Sequence, residues 1–124
     1  MTGSTDGTDR FGNLFASIDA MDTERFLGFL TRDATFRFGS AEPVQGHAAI
    51  AKAVGGFFAS VAALRHDVRR VIGEGNTVAC EGNVTYTRHD GSTVTIPFAN
   101  VFELENDLVR IYRVYIDIAP LFAE

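Results

Sequence analysis

The strongest constraint on the fold is the pattern of residues 63–117, where apolar and polar side chains alternate almost without interruption. Such alternation is typical of half-buried β-strands, because successive side chains point to opposite faces of a sheet. Turn-forming residues at 73–76, 89–91 and 105–107 divide the region into four long strands. Strands of this length need a partner layer over their apolar face, so the sequence predicts a curved sheet that encloses an apolar pocket.

The first half of the chain has apolar residues at helical spacing instead. This spacing predicts a first helix over residues 9–20, a short second helix from its cap at Asp22 to Leu30, and a third helix over residues 47–62. A short strand is predicted at residues 34–38, followed by a loop. Helices followed by a meander of strands predict an α+β domain with the helices on one face of an antiparallel sheet.

The Asp90-Gly91 pair predicts a hairpin turn and allows its register to be argued. A simple two-residue turn would place the apolar residues of the two strands on opposite faces. One bulged residue, with Gly91 left-handed, unites them on one face. The predicted pairs are then Tyr86 with Val94 and Val84 with Ile96.

Composition limits the class of protein. The chain has 124 residues, 46% of them hydrophobic, which suits one domain with a substantial core. The formal net charge of −5 argues against nucleic acid as a partner, and no apolar run is long enough to span a membrane. Residues 1–8 lack signal-peptide features and are predicted to be a disordered leader to a domain at 9–124. Cys80 is the single cysteine, which precludes an internal disulfide and is compatible with a cytoplasmic location.

Four segments together resemble a SnoaL-like domain, in the superfamily of ketosteroid isomerase, limonene-epoxide hydrolase and nuclear transport factor 2. They are Arg32-Asp-Ala-Thr-Phe36, Gly46-His-Ala-Ala-Ile50, Asp90-Gly91 and the stretch from Tyr112 to Leu121. The resemblance covers residues 9–121. It implies a cone-shaped, curved antiparallel sheet of the cystatin-like type, with three N-terminal helices on its concave face. It also implies a deep pocket and a homodimer formed through the outer sheet face.

The catalytic positions of two enzyme families in this superfamily hold other residues here. The positions that activate water in the epoxide hydrolases correspond to Phe36, Phe38, Gly82, Val84 and Val114, none of which offers a polar side chain. The tyrosine and the catalytic aspartate of ketosteroid isomerase correspond to Leu14 and to Phe38 or its neighbours, with Asn100 at the place of the second aspartate. Both residue sets are therefore absent.

A set of residues on one sheet face and on the helices is predicted to line the pocket: Phe36, Phe38, Phe58, Val84, Tyr86, Phe98, Asn100, Phe102 and Tyr112. The Asn100 amide either hydrogen-bonds to a neighbouring tyrosine or presents its donors to a ligand carbonyl. Tyr112 offers a phenolic donor.

Two residues are candidate catalytic acid/bases. His66 shares a strand face with Leu64 and Val68. It is either a structural histidine, hydrogen-bonded at the edge of the core, or an acid/base that exchanges protons with a ligand. Asp117 belongs to the outer face by strict alternation, with Arg113 or an arginine of a second subunit as its candidate partner, but a bulge would turn it into the pocket. The resemblance to SnoaL-like cyclases implies an acid/base role for such a carboxylate. The three histidines lack metal-ligand spacing, so no metal is expected.

The sequence predicts a pocket for a hydrophobic carbonyl or polycyclic compound. One hypothesis is a cofactor-free cyclase, isomerase or dehydratase that works by proton transfer. The alternatives are a binding module that performs no chemistry, or a dimeric interaction scaffold with an incidental pocket.

Overall fold

The computed structural model describes the backbone of residues 3–123 and the side chains of residues 10–123. This part of the chain forms four helices: α1 (Gly3–Asp19), α2 (Thr23–Leu27), α3 (His47–Ala59) and α4 (Ala119–Phe122). It also forms six strands: β1 (Leu30–Phe38), β2 (Val44–Gln45), β3 (Ala63–Glu74), β4 (Thr77–Thr87), β5 (Thr93–Glu105) and β6 (Leu108–Ile116).

The strands form one curved, unclosed sheet in the order β2-β1-β6-β5-β4-β3. Neighbouring strands are antiparallel except for β1 and β6, which are parallel. The chain between these two parallel strands contains β2, α3 and β3–β5, so the first and last strands in chain order lie side by side. The predicted α+β class and the helix-covered curved sheet are confirmed.

The first helix begins at Gly3, six residues before the start that apolar spacing predicts. The spacing could not extend the prediction, because residues 3–8 contain no apolar side chain. Disorder of the leader at residues 1–8 stays a prediction, and residues 1 and 2 lie outside the described part of the chain.

The boundary between α2 and β1 differs from the prediction. Asp22 caps α2 as expected, accepting a hydrogen bond from the Arg25 backbone N–H at 3.1 Å. The helix ends at Leu27 instead of Leu30, and Leu30 pairs with Val109 as the first residue of β1. An apolar pair such as Phe29 and Leu30 fits both periodicities, so only the pairing with β6 decides between them.

Two other predicted boundaries shift for local reasons. Helix α3 ends at Ala59 instead of residue 62. Ser60 caps its C-terminal end, and the Ser60 hydroxyl donates a hydrogen bond to the Phe57 carbonyl at 2.6 Å. The predicted loop at 39–46 contains the two-residue strand β2, which pairs with β1. The short helix α4 was not predicted.

The predicted register of the β4–β5 hairpin is confirmed. Tyr86 pairs with Val94 and Val84 with Ile96. Gly91 has a φ of +91°, in the left-handed region that glycine tolerates at a bulge. This register places the apolar side chains of both strands on the concave face.

A bulge in β3 requires a glycine on the neighbouring strand. The register of β3 against β4 shifts between Val68 and Arg70, so that Arg69 is the extra residue. A Cβ on Gly82, which pairs with Val68, would overlap the carbonyl oxygen of Asp67. Bulges increase the twist and bend of a strand, so this close approach contributes to the curvature of the sheet around the cavity.

Candidate functional site

A cavity of about 280 Å³ lies between the helices and the concave face of the sheet. Its wall is mostly apolar and aromatic. The lining residues are Ile18, Phe26, Phe36, Phe38, Ala41, Ala53, Val54, Phe57, Phe58, Leu64, His66, Val84, Tyr86, Phe98, Asn100, Tyr112, Val114, Ile116 and Ile118. All nine residues predicted to line a pocket are in this wall except Phe102.

Phe102 lies behind the wall instead of in it. Its ring stacks on Phe11 of α1 at 5.0 Å with an interplanar angle of 6°, and it meets Tyr112 edge to face at 4.7 Å. The predicted face of the strand is correct, but Phe102 lies further along β5, where α1 covers the sheet. It therefore packs against the Tyr112 ring on the side away from the cavity.

His66 lies at the wall and forms the most directional contact there. Its Nδ1 is 2.7 Å from Oδ1 of Asp19, the last residue of α1. The backbone N–H of His66 also donates to both oxygens of the same carboxylate, at 3.2 and 3.1 Å. The rings of Phe15 and Phe98 flank the imidazole at centroid distances of 4.8 and 5.1 Å.

These contacts fix the orientation of the imidazole. A carboxylate accepts hydrogen bonds, so it selects the tautomer of neutral His66 that carries its proton on Nδ1. In that tautomer Nε2 has a free lone pair, and it makes no hydrogen bond within residues 10–123. A carboxylate at the C-terminal end of a helix is unfavourable toward the helix dipole, so the bonds to His66 account for the position of Asp19.

Asp19 is the one residue of this pair that sequence reasoning missed. It is separated from His66 by 47 residues, and no pattern in either segment predicts their contact. The available signal was an acidic residue in the last turn of a predicted helix, where a basic residue is favoured.

Two tyrosines are among the few polar residues of the mostly apolar wall. Tyr86 and Tyr112 are both buried and line the cavity. Burial raises the pKa of the Tyr86 hydroxyl well above its ordinary value. Burial also raises the pKa of Tyr112, and the nearby Cys80 and Tyr86 add to the effect. Both phenols therefore keep their protons at neutral pH and remain hydrogen-bond donors.

Asn100 is buried beside them, with 2% of its surface exposed. Its Oδ1 has no hydrogen-bond partner among the described residues. No hydrogen bond joins the amide to a tyrosine among the described residues, which leaves the alternative in which the amide presents its donors to a ligand carbonyl. Its role stays a prediction.

Asp117 lies away from the cavity. It follows the end of β6, is exposed, and accepts a hydrogen bond from the Ala119 backbone N–H at 3.0 Å. Arg113, one of the two partners considered for it, donates to Glu103 instead at 3.0 Å. Asp117 thus stabilises the turn into α4, and no bulge turns it inward, because β5 and β6 pair in register from Phe98–Ile116 to Glu103–Ile111.

Other candidate residues have structural contacts. Cys80 is buried in β4, and burial raises the pKa of its thiol to about 11, so it is a poor nucleophile at neutral pH. His47 contacts the Leu30 carbonyl through Nε2 at 3.3 Å. His89 at the exposed hairpin contacts the Ala59 carbonyl at 3.0 Å. Within the part of the chain that the structure describes, no three His, Cys, Asp or Glu side chains converge as metal ligands. No helix among the described residues is long and apolar enough to cross a membrane.

Comparison with known proteins supports the fold. A family model described as a SnoaL-like domain matches residues 11–113. No curated protein matches the sequence.

Solved structures are similar over nearly the whole chain. TerC, co-crystallised with polyporic acid, is 18% identical with a TM-score of 0.80, covering 93% of this chain and 94% of TerC. An NTF2-like protein of unknown function from Burkholderia pseudomallei K96243 is 16% identical, with a TM-score of 0.83 and 93% of each chain covered. An LEH-like epoxide hydrolase from M. tuberculosis is 16% identical, with a TM-score of 0.75, covering 90% of this chain and 83% of the hydrolase. At these identities the likeness shows the fold alone.

Proposed function

Because the chain belongs to the SnoaL-like domain family, we propose that it is an enzyme that moves a proton on an apolar carbonyl compound held in the cavity. One observation carries the proposal, the 2.7 Å contact between Asp19 and Nδ1 of His66 at the cavity wall. A histidine oriented by a carboxylate is a common arrangement for a general base. The imidazole can carry the proton itself, so the proposal requires no cofactor.

The proposed step is enolisation. Nε2 of His66 removes a proton from the carbon next to the ligand carbonyl. The electron pair of the broken C–H bond forms a C=C bond, and the π pair of the carbonyl moves onto its oxygen. Negative charge then develops on that oxygen, where the hydroxyl of Tyr112 or Tyr86 can stabilise it by a hydrogen bond. The imidazolium returns the proton to the ligand, which isomerises it, or protonates a leaving hydroxyl, which dehydrates it. In a cyclase the enolate would instead attack a second carbonyl, which takes up the proton.

The apolar wall favours this chemistry over hydrolysis. The positions that would hold a water-activating set carry Phe36, Phe38, Val84 and Val114, and all four line the cavity. These side chains can neither accept nor donate a strong hydrogen bond, so they leave an attacking water unsupported. The likeness in fold to TerC, which was co-crystallised with polyporic acid, supports an organic ligand for this chain.

A binding module is the second candidate function. It is favoured by the predominance of Phe, Val and Ile in the wall, which suits retention of an apolar molecule. A binding module would bind ligands without exchanging their protons, so one assay separates the two functions.

The test is the exchange of carbon-bound hydrogen for deuterium. The protein is incubated with α-tetralone, a small aromatic ketone, in deuterium oxide, and loss of the signal from the protons next to the carbonyl is followed by NMR. We expect the wild type to accelerate exchange and His66→Gln to reduce the acceleration by at least about 100-fold. His89→Gln, which changes an exposed histidine of the hairpin, is the matched control and should leave the rate unchanged. Binding of α-tetralone without accelerated exchange would favour the binding module.

The outer face of the sheet is proposed as the contact between two copies of the chain. Tyr115 on this face is 55% exposed, and Thr85 and Thr95 form a hydrogen-bonded pair at 2.9 Å on the neighbouring strands. A mixed face of aromatic and threonine side chains suits a subunit contact. Sedimentation equilibrium should give twice the mass of the chain, and Tyr115→Lys should shift the distribution to the monomer. A monomeric wild type would contradict this assignment.

A further inference from the structure

The cavity wall contains few polar groups, and one of them lacks a hydrogen-bond partner. Oδ1 of Asn100 is the buried side-chain oxygen without a hydrogen-bond partner among the described residues. An unpaired buried acceptor has lost its hydrogen bonds to water without a replacement, which destabilises the folded state relative to one whose acceptor is satisfied. A hydrogen-bond donor from outside the chain would therefore be stabilised at this oxygen.

The immediate neighbours of Asn100 do not supply a strong donor. Across the sheet it faces Cys80 on β4 and Val114 on β6. A thiol is a weak donor and a valine side chain is none. Asn100 lines the cavity together with Tyr86 and Tyr112.

We infer that the ligand donates a hydroxyl hydrogen to Oδ1 of Asn100, and is therefore a phenol or an enol that also carries the reacting carbonyl. The inference rests on the proposed function in taking this cavity as the ligand site. The tyrosine hydroxyls are donors and suit the carbonyl oxygen of such a ligand, whereas the unpartnered Oδ1 of Asn100 is an acceptor and suits its hydroxyl. An enolic dicarbonyl or a hydroxyaryl ketone presents both groups on one molecule.

The size of the cavity limits this class further. A volume of about 280 Å³ is at the lower end of the range for ligand pockets. It suits a compound of one or two rings better than a large polycycle. The aromatic side chains around the wall provide faces and edges for stacking on such rings.

The test uses two probes that differ in one hydrogen-bond donor, α-naphthol and its methyl ether. Titration calorimetry measures the affinity of the wild type, Asn100→Leu and Asn83→Leu for each. An apolar cavity without an acceptor would favour the ether, because the naphthol must give up its hydrogen bond to water. We expect the wild type to bind naphthol about tenfold more tightly than the ether, in line with one buried hydrogen bond.

Asn100→Leu should remove that preference. Asn83 on β4 pairs with Pro97 of β5, so its side chain lies on the opposite face of the sheet from that of Asn100. Asn83→Leu should therefore preserve the preference for naphthol. A wild type that prefers the ether, or binds neither probe, would overturn the inference, as would an Asn100→Leu protein that still prefers naphthol. If Asn100→Leu does not fold, the wild-type comparison decides alone.

The two proposals fail in different ways. Preference for naphthol without exchange of ketone protons would contradict the proposed enzymatic activity but would retain Asn100 as a hydroxyl acceptor. Exchange of ketone protons without a preference for naphthol would contradict only the role inferred for Asn100.

Discussion

Oδ1 of Asp19, at the end of α1, lies 2.7 Å from Nδ1 of His66 on β3, and the same carboxylate accepts the backbone N–H of His66. The contact therefore fixes the imidazole ring and joins the first helix to an edge strand of the sheet. Since the ring also lines the cavity, the pair is both a packing element and a candidate catalytic unit.

Asp19→Asn should separate these two roles. An amide can keep one backbone contact, but its NH₂ group can donate to Nδ1 and force the proton onto Nε2, which removes the free lone pair. We expect the deuterium exchange rate to fall roughly 100-fold while the protein remains folded. Asp33→Asn, at an exposed carboxylate that contacts Thr31, is the control. Exchange at the wild-type rate in a folded Asp19→Asn protein would show that the carboxylate does not set the tautomer.

Tyr112→Phe should lower the exchange rate without closing the cavity. The change removes a hydroxyl but keeps the ring that packs on Phe36 and Phe102 at 5.1 and 4.7 Å. Loss of one donor to a developing oxyanion typically costs roughly 100-fold in rate. Tyr115→Phe, on the exposed outer face, should have no effect on exchange. Equal rates in the two variants would argue against Tyr112 as the donor.

Alkaline pH should destabilise the protein through its buried acids. Burial raises the pKa of Cys80 from 9.0 to about 11, so its stabilising contribution is complete below pH 9 and is lost as the pH rises through about 11. Burial raises the pKa values of Tyr86 and Tyr112 in the same direction. The free energy of unfolding in urea should therefore decrease across this range.

Two variants test the source of this pH dependence. Cys80→Ala and Tyr112→Phe should each flatten the decrease, because each removes one buried acid. Tyr115→Phe should retain the full decrease. A free energy of unfolding that is independent of pH above 9, the ordinary value for the thiol, would contradict burial of these groups.

Gly82→Ala should destabilise the fold, because its methyl group would overlap the Asp67 carbonyl at the β3 bulge. Backbone cannot move aside as a flexible side chain can, so we expect a loss of about 2 kcal/mol in the free energy of unfolding. Gly56→Ala in the middle of α3 meets nothing within 4 Å and should instead stabilise by up to about 1 kcal/mol, because alanine favours helix. An unchanged stability of Gly82→Ala would mean that the strands separate easily at the bulge.

The long strands and the hairpin register could be predicted because both follow from local rules. Alternation identifies β4 and β5, and the demand that Tyr86 and Val94 share a face selects the bulge at Gly91. The end of α2 could not be predicted in the same way, because Leu30 fits either a helix or a strand until Val109 pairs with it.

The site was predictable in part for a related reason. Strand parity places Asn100 and Tyr112 at the wall, since side chains on one face repeat every second residue. Parity does not give depth, so it also selected Phe102, which α1 covers. The partner of His66 required the three-dimensional path of the chain, because helix packing alone brings Asp19 to β3.

The most direct test of the account is the ¹⁵N NMR spectrum of the His66 ring, with and without α-tetralone, under conditions in which the ring is neutral. The account predicts a proton on Nδ1, an unprotonated Nε2, and a change in the Nε2 signal when the ketone is added. A proton on Nε2, or an Nε2 signal that bound ketone leaves unchanged, would contradict the role of His66 as the base.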